Sequence, residues 1–466
     1  MPKDKRLKVL FASSEVDPFS KTGGLADVAG SLPVALDKAG VDIRVITPHY
    51  KCVRAFGNEA MLADRVPVYF VKNDKFFMRD HLYADKKGDY ADNLDRFSFF
   101  SRSVIEQLKE LDFKPDIIHC NDWQTALVPV YLKEIYGKKD KSCQNIRTVL
   151  TIHNLGYQGV FPKQELPKTG LGWEYFTMNR LEFYDKVNIL KGGLVFTDAI
   201  TTVSPTYAKE IQTSEFGWGL NGLLSERRND LFGILNGIDH DEWDPSKDKE
   251  LKYHFSPVKP EGKYKDKALL QKEAGLEERR DVPLIGMISR LADQKGLDLI
   301  ARIIGPLLDH DVQFILLGTG EERYHRLFEG IKKKFPRKAS INLKFDEVLA
   351  KKIYAGADIF LVPSRYEPCG LSQMISLRYG TIPVVRRTGG LADTITGYDP
   401  KTTRGNGFLF ETYDAWELLD AIKRAAALYK QKGLWAKLVS NAMKCDFSWD
   451  RSAGRYLELY KKLVLR

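Results

Sequence analysis

Short apolar, β-branched runs return along this chain at helix-length intervals, and that alternation restricts the fold more than any other feature of the sequence. KVLFASSE, DIRVITP, DIIHC, TVLTIHN, AITTVS and FGILNGI form a first series. A charged, proline-containing stretch follows from His240 to Val282, and then a second series begins with PLIGMIS, VQFILLG, INLKF, IFLVP, IPVVRR and GFLFE. Runs without polar alternation are strands buried on both faces, and helical patterns between them are crossovers, so the chain reads as two doubly wound α/β domains. At 466 residues it can form a full core in each. The expected division is 1–245, 246–447 and a closing segment 448–466. Lys247–Lys267, rich in lysine and broken by Pro257 and Pro260, reads as a linker or peripheral excursion. Trp449–Leu465 has Tyr456, Leu459, Tyr460 and Leu463 at helical spacing, which predicts a packed helix that crosses back to the first domain.

Ligands of such sheets bind beyond the carboxyl ends of the strands, so the residues after each strand carry the functional reading. The hexapeptide TGGLAD occurs twice there, at Thr22–Asp27 and Thr388–Asp393. Each copy follows a strand and opens a helix. The expectation is that Gly23, Gly24 and Gly389 bring backbone amides to the mouth of each sheet, where a helix N-terminus suits phosphate. Lys21 adds a charge beside the first copy, and Pro33 is expected to disturb the helix that follows. Asp122 and His153 stand after two further strands and suit sugar hydroxyls, although Asp122 reads equally as a helix cap and His153 as a structural residue. In the second series Arg290 and Lys295 could converge on a diphosphate. Gly318 belongs to a G-x-G too short for a dinucleotide fingerprint. SRYEPCGLSQMISLRYG presents Glu367 in a loop, with a helix expected to begin near Pro368. Glu367 is either a capping carboxylate or a sugar ligand, and Cys369 either packs or makes a contact.

Composition removes several classes. The net charge of +10 comes from scattered lysines, without the aromatic-interleaved stripe that nucleic-acid binding requires. Five cysteines without C-x-x-C spacing and eight histidines without ligand spacing argue against a disulfide framework and a metal site. No run reaches membrane-spanning length, and the expected location is cytoplasmic.

With these motifs in order, the chain resembles the glycogen (starch) synthases of the bacterial and plant type, which are retaining glucosyltransferases. The resemblance extends from SSEVDPFSKTGGLADVAGSLP through HCNDWQTALVP, TIHNLGYQG, NGID and SRLADQKG to SRYEPCGLSQMISLRYG and VVRRTGGLADTI. It implies the GT-B fold, two Rossmann-like domains facing across a cleft. It also implies transfer of glucose from a nucleotide-glucose, ADP-glucose or UDP-glucose, to an α-1,4-glucan such as glycogen or a maltooligosaccharide. Neither metal nor cofactor is implied. By position, Lys21, Arg290 and Lys295 would hold the diphosphate, Asp122 and His153 the transferred glucose, and Glu367 with the amides after Cys369 the glucose hydroxyls and phosphate. Gly23, Gly24, Gly318, Thr388 and Gly389 would line the nucleotide site, and Asn236, Tyr366, Gly370 and Leu371 would contact substrate. Many related transferases carry a second glutamate eight residues after the first, where this chain has Ile375. The competing readings are a noncatalytic glucan- or nucleotide-sugar-binding protein, and a related transferase with another donor.

Overall fold

The computed structural model describes residues 6–54, 57–86 and 88–465. The chain divides into two compact units, one running through Gly237 and resuming at Trp449, the other Ile238–Ser448. The first boundary falls at Gly237 rather than at residue 245.

The first unit contains an eight-stranded sheet. Its strands are β1 (Lys8–Ala12), β2 (Asp42–Pro48), β3 (Glu59–Leu62), β4 (Val66–Val71), β5 (Ile117–Asn121), β6 (Arg147–Ile152), β7 (Ala199–Thr202) and β8 (Leu231–Gly233). They lie in the order β8-β7-β6-β5-β1-β2-β4-β3, and β3 alone runs antiparallel to its neighbour. Every strand read from the first series is present. The β3–β4 pair was not anticipated, because Pro67 interrupts an apolar run and β3 leaves most of its side chains in solvent.

The second unit is a six-stranded sheet, parallel throughout. Its strands are β9 (Leu284–Ile288), β10 (Gln313–Leu317), β11 (Ala339–Asn342), β12 (Ile359–Val362), β13 (Ile382–Arg386) and β14 (Phe408–Phe410), in the order β11-β10-β9-β12-β13-β14. In each unit the strand order reverses beside the first strand, between β1 and β5 and between β9 and β12. Neighbouring loops leave such a switch point in opposite directions and open a crevice.

The helices that matter below are α1 (Gly24–Lys38), α2 (Glu261–Glu273), α3 (Ser372–Arg378), α4 (Gly389–Thr394), α5 (Lys432–Met443) and α6 (Trp449–Val464). Helix α1 continues through the buried Pro33 without ending. Helix α6 packs in the first unit, with Tyr456, Leu459, Tyr460 and Leu463 buried. The Tyr460 hydroxyl lies 2.5 Å from His119 Nδ1 in β5, and His119 Nε2 lies 2.6 Å from the Thr151 hydroxyl in β6. Burial holds the His119 pKa down at about 3, so the ring is neutral and both contacts are hydrogen bonds rather than ion pairs.

The reading of Lys247–Lys267 as a linker is corrected. Helix α2 buries Gly262, Lys263, Asp266, Lys267, Leu270 and Gln271. That spacing is helical, but mostly polar residues carry it, so a search for apolar periodicity passes over it. Lys263 Nζ donates to the carbonyls of Ala355 (2.9 Å), Ala357 (2.9 Å) and Tyr379 (3.0 Å) and to the Thr381 hydroxyl (2.7 Å). Lys267 Nζ meets Asp358 at 2.7 Å. Burial pulls the Lys263 pKa down to about 7. Lys263→Ala would open a void and take this donor from the Ala355 and Tyr379 carbonyls, while the Thr381 hydroxyl still donates to the Ala357 carbonyl at 2.9 Å. At about 1–3 kcal/mol for each of the two acceptors, with the void added, a loss of about 3 kcal/mol or more is expected. A urea titration that returns the parental midpoint would contradict the cage's role in holding the second unit together.

Candidate functional site

The β1 strand delivers Glu15, a buried carboxylate that sequence reasoning missed. It accepts hydrogen bonds from the Thr22 N–H (2.5 Å), the Gly23 N–H (3.2 Å), the Thr22 hydroxyl (2.6 Å) and the Tyr83 hydroxyl (2.8 Å). The loop holding the first TGGLAD is thus tied to the strand beneath it. Of the amides entering α1, those of Gly24 and Leu25 have no hydrogen-bond partner among the described residues. Lys21 is exposed and lies 2.5 Å from Asp27 and 3.2 Å from Asp17. Partial burial opposes its charge, but these two carboxylates outweigh that and raise its pKa above the ordinary lysine value.

The expectation of one geometry for both TGGLAD copies is corrected. Gly23 is extended at φ −160°, and neither Gly23 nor Gly24 has an atom within 4 Å of where a β-carbon would stand. In the second copy Gly389 has φ +44°, and a β-carbon there would overlap the Glu367 carbonyl. One on Gly390 would overlap the Cys369 carbonyl. The Gly390 N–H is committed to the carbonyls of Glu367 (3.1 Å) and Pro368 (3.2 Å). The first pair of glycines leaves space open, while the second lets α4 press against the loop that carries Glu367.

At the switch point of the first unit, Asp122 has φ 54° and ψ −173°. Such a conformation costs a non-glycine residue about 1–3 kcal/mol. Its side chain does not cap the short helix that follows, which removes that reading. Asp122 Oδ1 instead accepts the His153 N–H at 2.7 Å. His153 Nε2 lies 2.9 Å from Asn121 Oδ1, and Asn121 Nδ2 donates to the Ala12 carbonyl at 2.9 Å. Asn121 therefore offers His153 an acceptor, and this network places the ring proton on Nε2 and leaves Nδ1 as a lone-pair acceptor. Burial raises the Asp122 pKa to about 7 and lowers that of His153 to about 3. Asn236 is buried, and its Oδ1 has no hydrogen-bond partner among the described residues.

At the switch point of the second unit, Lys295 Nζ and Glu367 Oε2 stand 2.7 Å apart, and the Ser364 hydroxyl donates to the same oxygen at 2.7 Å. Around this pair the two loops are joined. The Arg365 N–H bonds the Gln294 carbonyl at 2.8 Å, and Gln294 Nε2 the Tyr366 carbonyl at 3.1 Å. Gly296, at φ +70°, sits where a β-carbon would overlap the Pro363 carbonyl. Gly318 is required in the same way, against the Ser289 carbonyl. Arg290 is exposed, and its guanidinium makes no ion pair among the described residues.

Helix α3 begins at Ser372, not near Pro368, because Gly370 takes φ +73° and turns the chain before the helix starts. The buried Gln373 holds that turn, with Nε2 donating to the carbonyls of Cys369 (3.1 Å) and Gly370 (2.8 Å). The amides of Gly370 and Leu371 have no partner among the described residues. Cys369 and Thr388 are buried, and Tyr366 is half-buried. Glu15, Asn121, Ser364 and Gln373 are the supporting residues that sequence reasoning did not assign. Their signal is a polar side chain at, or just beyond, the end of a buried run. Among the described residues no group of three or more His, Cys, Asp and Glu side chains is arranged to hold a metal ion, and no helix is long and apolar enough to cross a membrane.

A family model described as the starch synthase catalytic domain matches residues 8–226, and one described as glycosyl transferases group 1 matches residues 271–442. The chain is 47% identical over 482 residues to a glycogen synthase of Geotalea uraniireducens, covering 99% of both chains. It is 48% identical over 487 residues to a glycogen synthase of Thermosipho africanus, covering 98% of this chain and 99% of that one. Among solved structures it is similar to the catalytic domain of starch synthase IV from Arabidopsis thaliana bound to ADP and acarbose. The TM-score is 0.90 and the identity 37%, with 99% of this chain and 100% of that one covered. A sucrose-phosphate synthase from Thermosynechococcus elongatus, 18% identical with a TM-score of 0.64 over 99% of this chain and 100% of that one, shares the fold.

The raised pKa of Asp122 has a definite sign. Between the unfolded value of 3.8 and the folded value of about 7 the native state holds the extra proton, so this group's contribution to stability falls as pH rises through that window. Asp122→Asn, which keeps the neutral form, is expected to be more stable than the parent above pH 7, with the gap narrowing toward pH 4. Denaturant midpoints across that range check it, and a gap independent of pH would contradict the assignment.

Proposed function

The chain belongs to the glycogen and starch synthase family of GT-B glycosyltransferases, and from that premise we propose how its strand-end residues carry out glucosyl transfer to an α-1,4-glucan. The donor is a nucleotide-glucose. ADP-glucose is the proposed choice, supported by the ADP bound to the similar starch synthase IV. The bond from the anomeric carbon to the diphosphate breaks, and its electron pair leaves with the phosphate oxygen. The 4-hydroxyl of the glucan's non-reducing end bonds to that carbon on the same face, and its proton passes to the leaving phosphate. The products are a nucleoside diphosphate and a glucan one residue longer.

Lys295 and Arg290 stabilise the charge that develops on the diphosphate, and Lys21 adds to it. Lys21 has to loosen its surface contacts with Asp17 and Asp27 to do so, which costs little for exposed pairs. Glu367, its position set by Lys295 and Ser364, accepts hydrogen bonds from glucose hydroxyls, while the amides of Gly370 and Leu371 donate to phosphate. Cys369 and Tyr366 shape that loop. Asp122 and His153 bind the transferred glucose, with His153 as a neutral ring. Gly23 and Gly24 leave room at the nucleotide site, Gly318, Thr388 and Gly389 hold the loops that line it, Asn236 supplies a further polar contact, and the acceptor is met by the first unit. The observation that carries this reading is the Lys295–Glu367 pair at a switch point, with two amides of the following loop left without acceptors among the described residues.

Arg290→Ala removes an unpaired cation, whereas Lys295→Ala also leaves Glu367 as an uncompensated negative charge beside the departing diphosphate. By the roughly 3–4 kcal/mol lost with one preorganised donor, each is expected to lower kcat by two to three orders of magnitude, with Lys295→Ala the more severe. Near-parental turnover in both would remove their roles. Nucleoside diphosphate release with glycogen, comparing ADP-glucose with UDP-glucose, tests donor choice: ADP-glucose is expected to give the higher kcat/KM. Donor binding without glycogen-dependent release would instead mark a noncatalytic binding protein.

A further inference from the structure

The second unit contains an open surface depression of about 560 Å³ among the residues that follow α4 and those at the end of α5, which takes no part in the proposed reaction. Its lining includes Arg404, Lys437 and Lys444, with Thr402, Asn406 and Asn441, and no carboxylate. None of the three cations forms an ion pair among the described residues. The acids nearest in sequence are already engaged. Asp399 accepts the Lys401 N–H and the Thr402 hydroxyl, and Asp446 accepts the Ser448 N–H. Asn441 fastens the lining loop by donating to the carbonyls of Thr403 (2.8 Å) and Gly405 (3.1 Å).

We infer that this depression is a second anion site, for a phosphate group carried on a small sugar-sized molecule, and that its occupancy is coupled to the Glu367 loop. Arg404 supplies a guanidinium fork, Lys437 and Lys444 point charges, and the amide and hydroxyl groups suit an ester's sugar. The volume lies within the range of small-ligand sites. A bonded route leads from it to the loop. Asn406 Nδ2 donates to the Thr394 carbonyl at 2.9 Å, at the end of α4. The Thr394 hydroxyl accepts Gln373 Nε2 at 3.2 Å and donates to the Gly390 carbonyl at 2.7 Å. Gln373 Nε2 also holds the Cys369 and Gly370 carbonyls, and the Gly390 N–H bonds the Glu367 carbonyl.

The full chain is titrated calorimetrically with ribose 5-phosphate, inorganic phosphate and ribose while ADP saturates the donor site. The inference expects saturable binding of ribose 5-phosphate and none of ribose. Lys437→Gln/Lys444→Gln is expected to weaken that binding at least tenfold, while its unfolding midpoint stays parental and its turnover without ligand stays within twofold. Ribose 5-phosphate is expected to shift the donor KM at least twofold in the parent and not in the double variant. Inorganic phosphate binding as tightly as the ester assigns recognition to the phosphate group alone, and weaker binding assigns it to the ester. Unchanged affinity in the double variant, or abolition of binding by ADP, overturns the site. Binding that leaves donor KM unmoved overturns the coupling. Because the calorimetric arm does not depend on turnover, failure of the proposed transferase activity would be seen separately.

Discussion

At the strand ends of the second unit, the Glu367 carbonyl occupies the place a β-carbon on residue 389 would need. Three further approaches of the same kind, Gly390 to Cys369, Gly296 to Pro363 and Gly318 to Ser289, bring main chain against main chain across the ends of β9, β10, β12 and β13. The loops are fixed by excluded volume, so the Lys295–Glu367 pair does not have to organise them. An ion pair alone would be a poor organiser, since desolvation offsets much of its attraction. Held by the backbone, the pair is a charge distribution prepared in advance, and in the proposed reaction little reorganisation would be left for the moment when a diphosphate departs.

Acidic side chains do constructive work in a protein of net positive charge. Glu15 binds the loop that follows β1, Glu367 offsets Lys295, and Asp17 and Asp27 hold Lys21. Each carboxylate occupies a donor group that would otherwise compete for solvent or collapse onto a neighbour. Asp122 is different. Its burial disfavours charge, and its strained backbone is maintained by the Asp122 N–H to the Thr151 carbonyl and by its own side chain on the His153 N–H. Strain persists only where surrounding structure enforces it.

The strand segments and the two-unit plan were legible because fully buried parallel strands write themselves as continuous apolar runs. What the sequence concealed shares a cause: burial carried by polar residues. Helix α2 presents lysine, aspartate and glutamine inward, so its period is invisible to hydropathy. Gln373 and Glu15 act through carbonyls and amides that have no sequence signature. The repeated TGGLAD was visible, but its meaning was not. The same six residues leave space above one loop and close space beneath another, and only the residues opposite each copy distinguish the two. The start of α3 was misplaced for a related reason, since Pro368 is a favourable helix opener by itself and only the positive φ of Gly370 postpones the turn.

Helix α6 follows the whole second unit in the chain yet belongs to the first unit, with Tyr460 bonded to His119 and the Ser452 hydroxyl bonded to the Leu235 carbonyl. During translation the first unit therefore emerges from the ribosome unfinished. The interposed second unit can mature while the first waits, the flank of the first unit's sheet uncovered and one imidazole nitrogen unclaimed, until Tyr460 has left the ribosome.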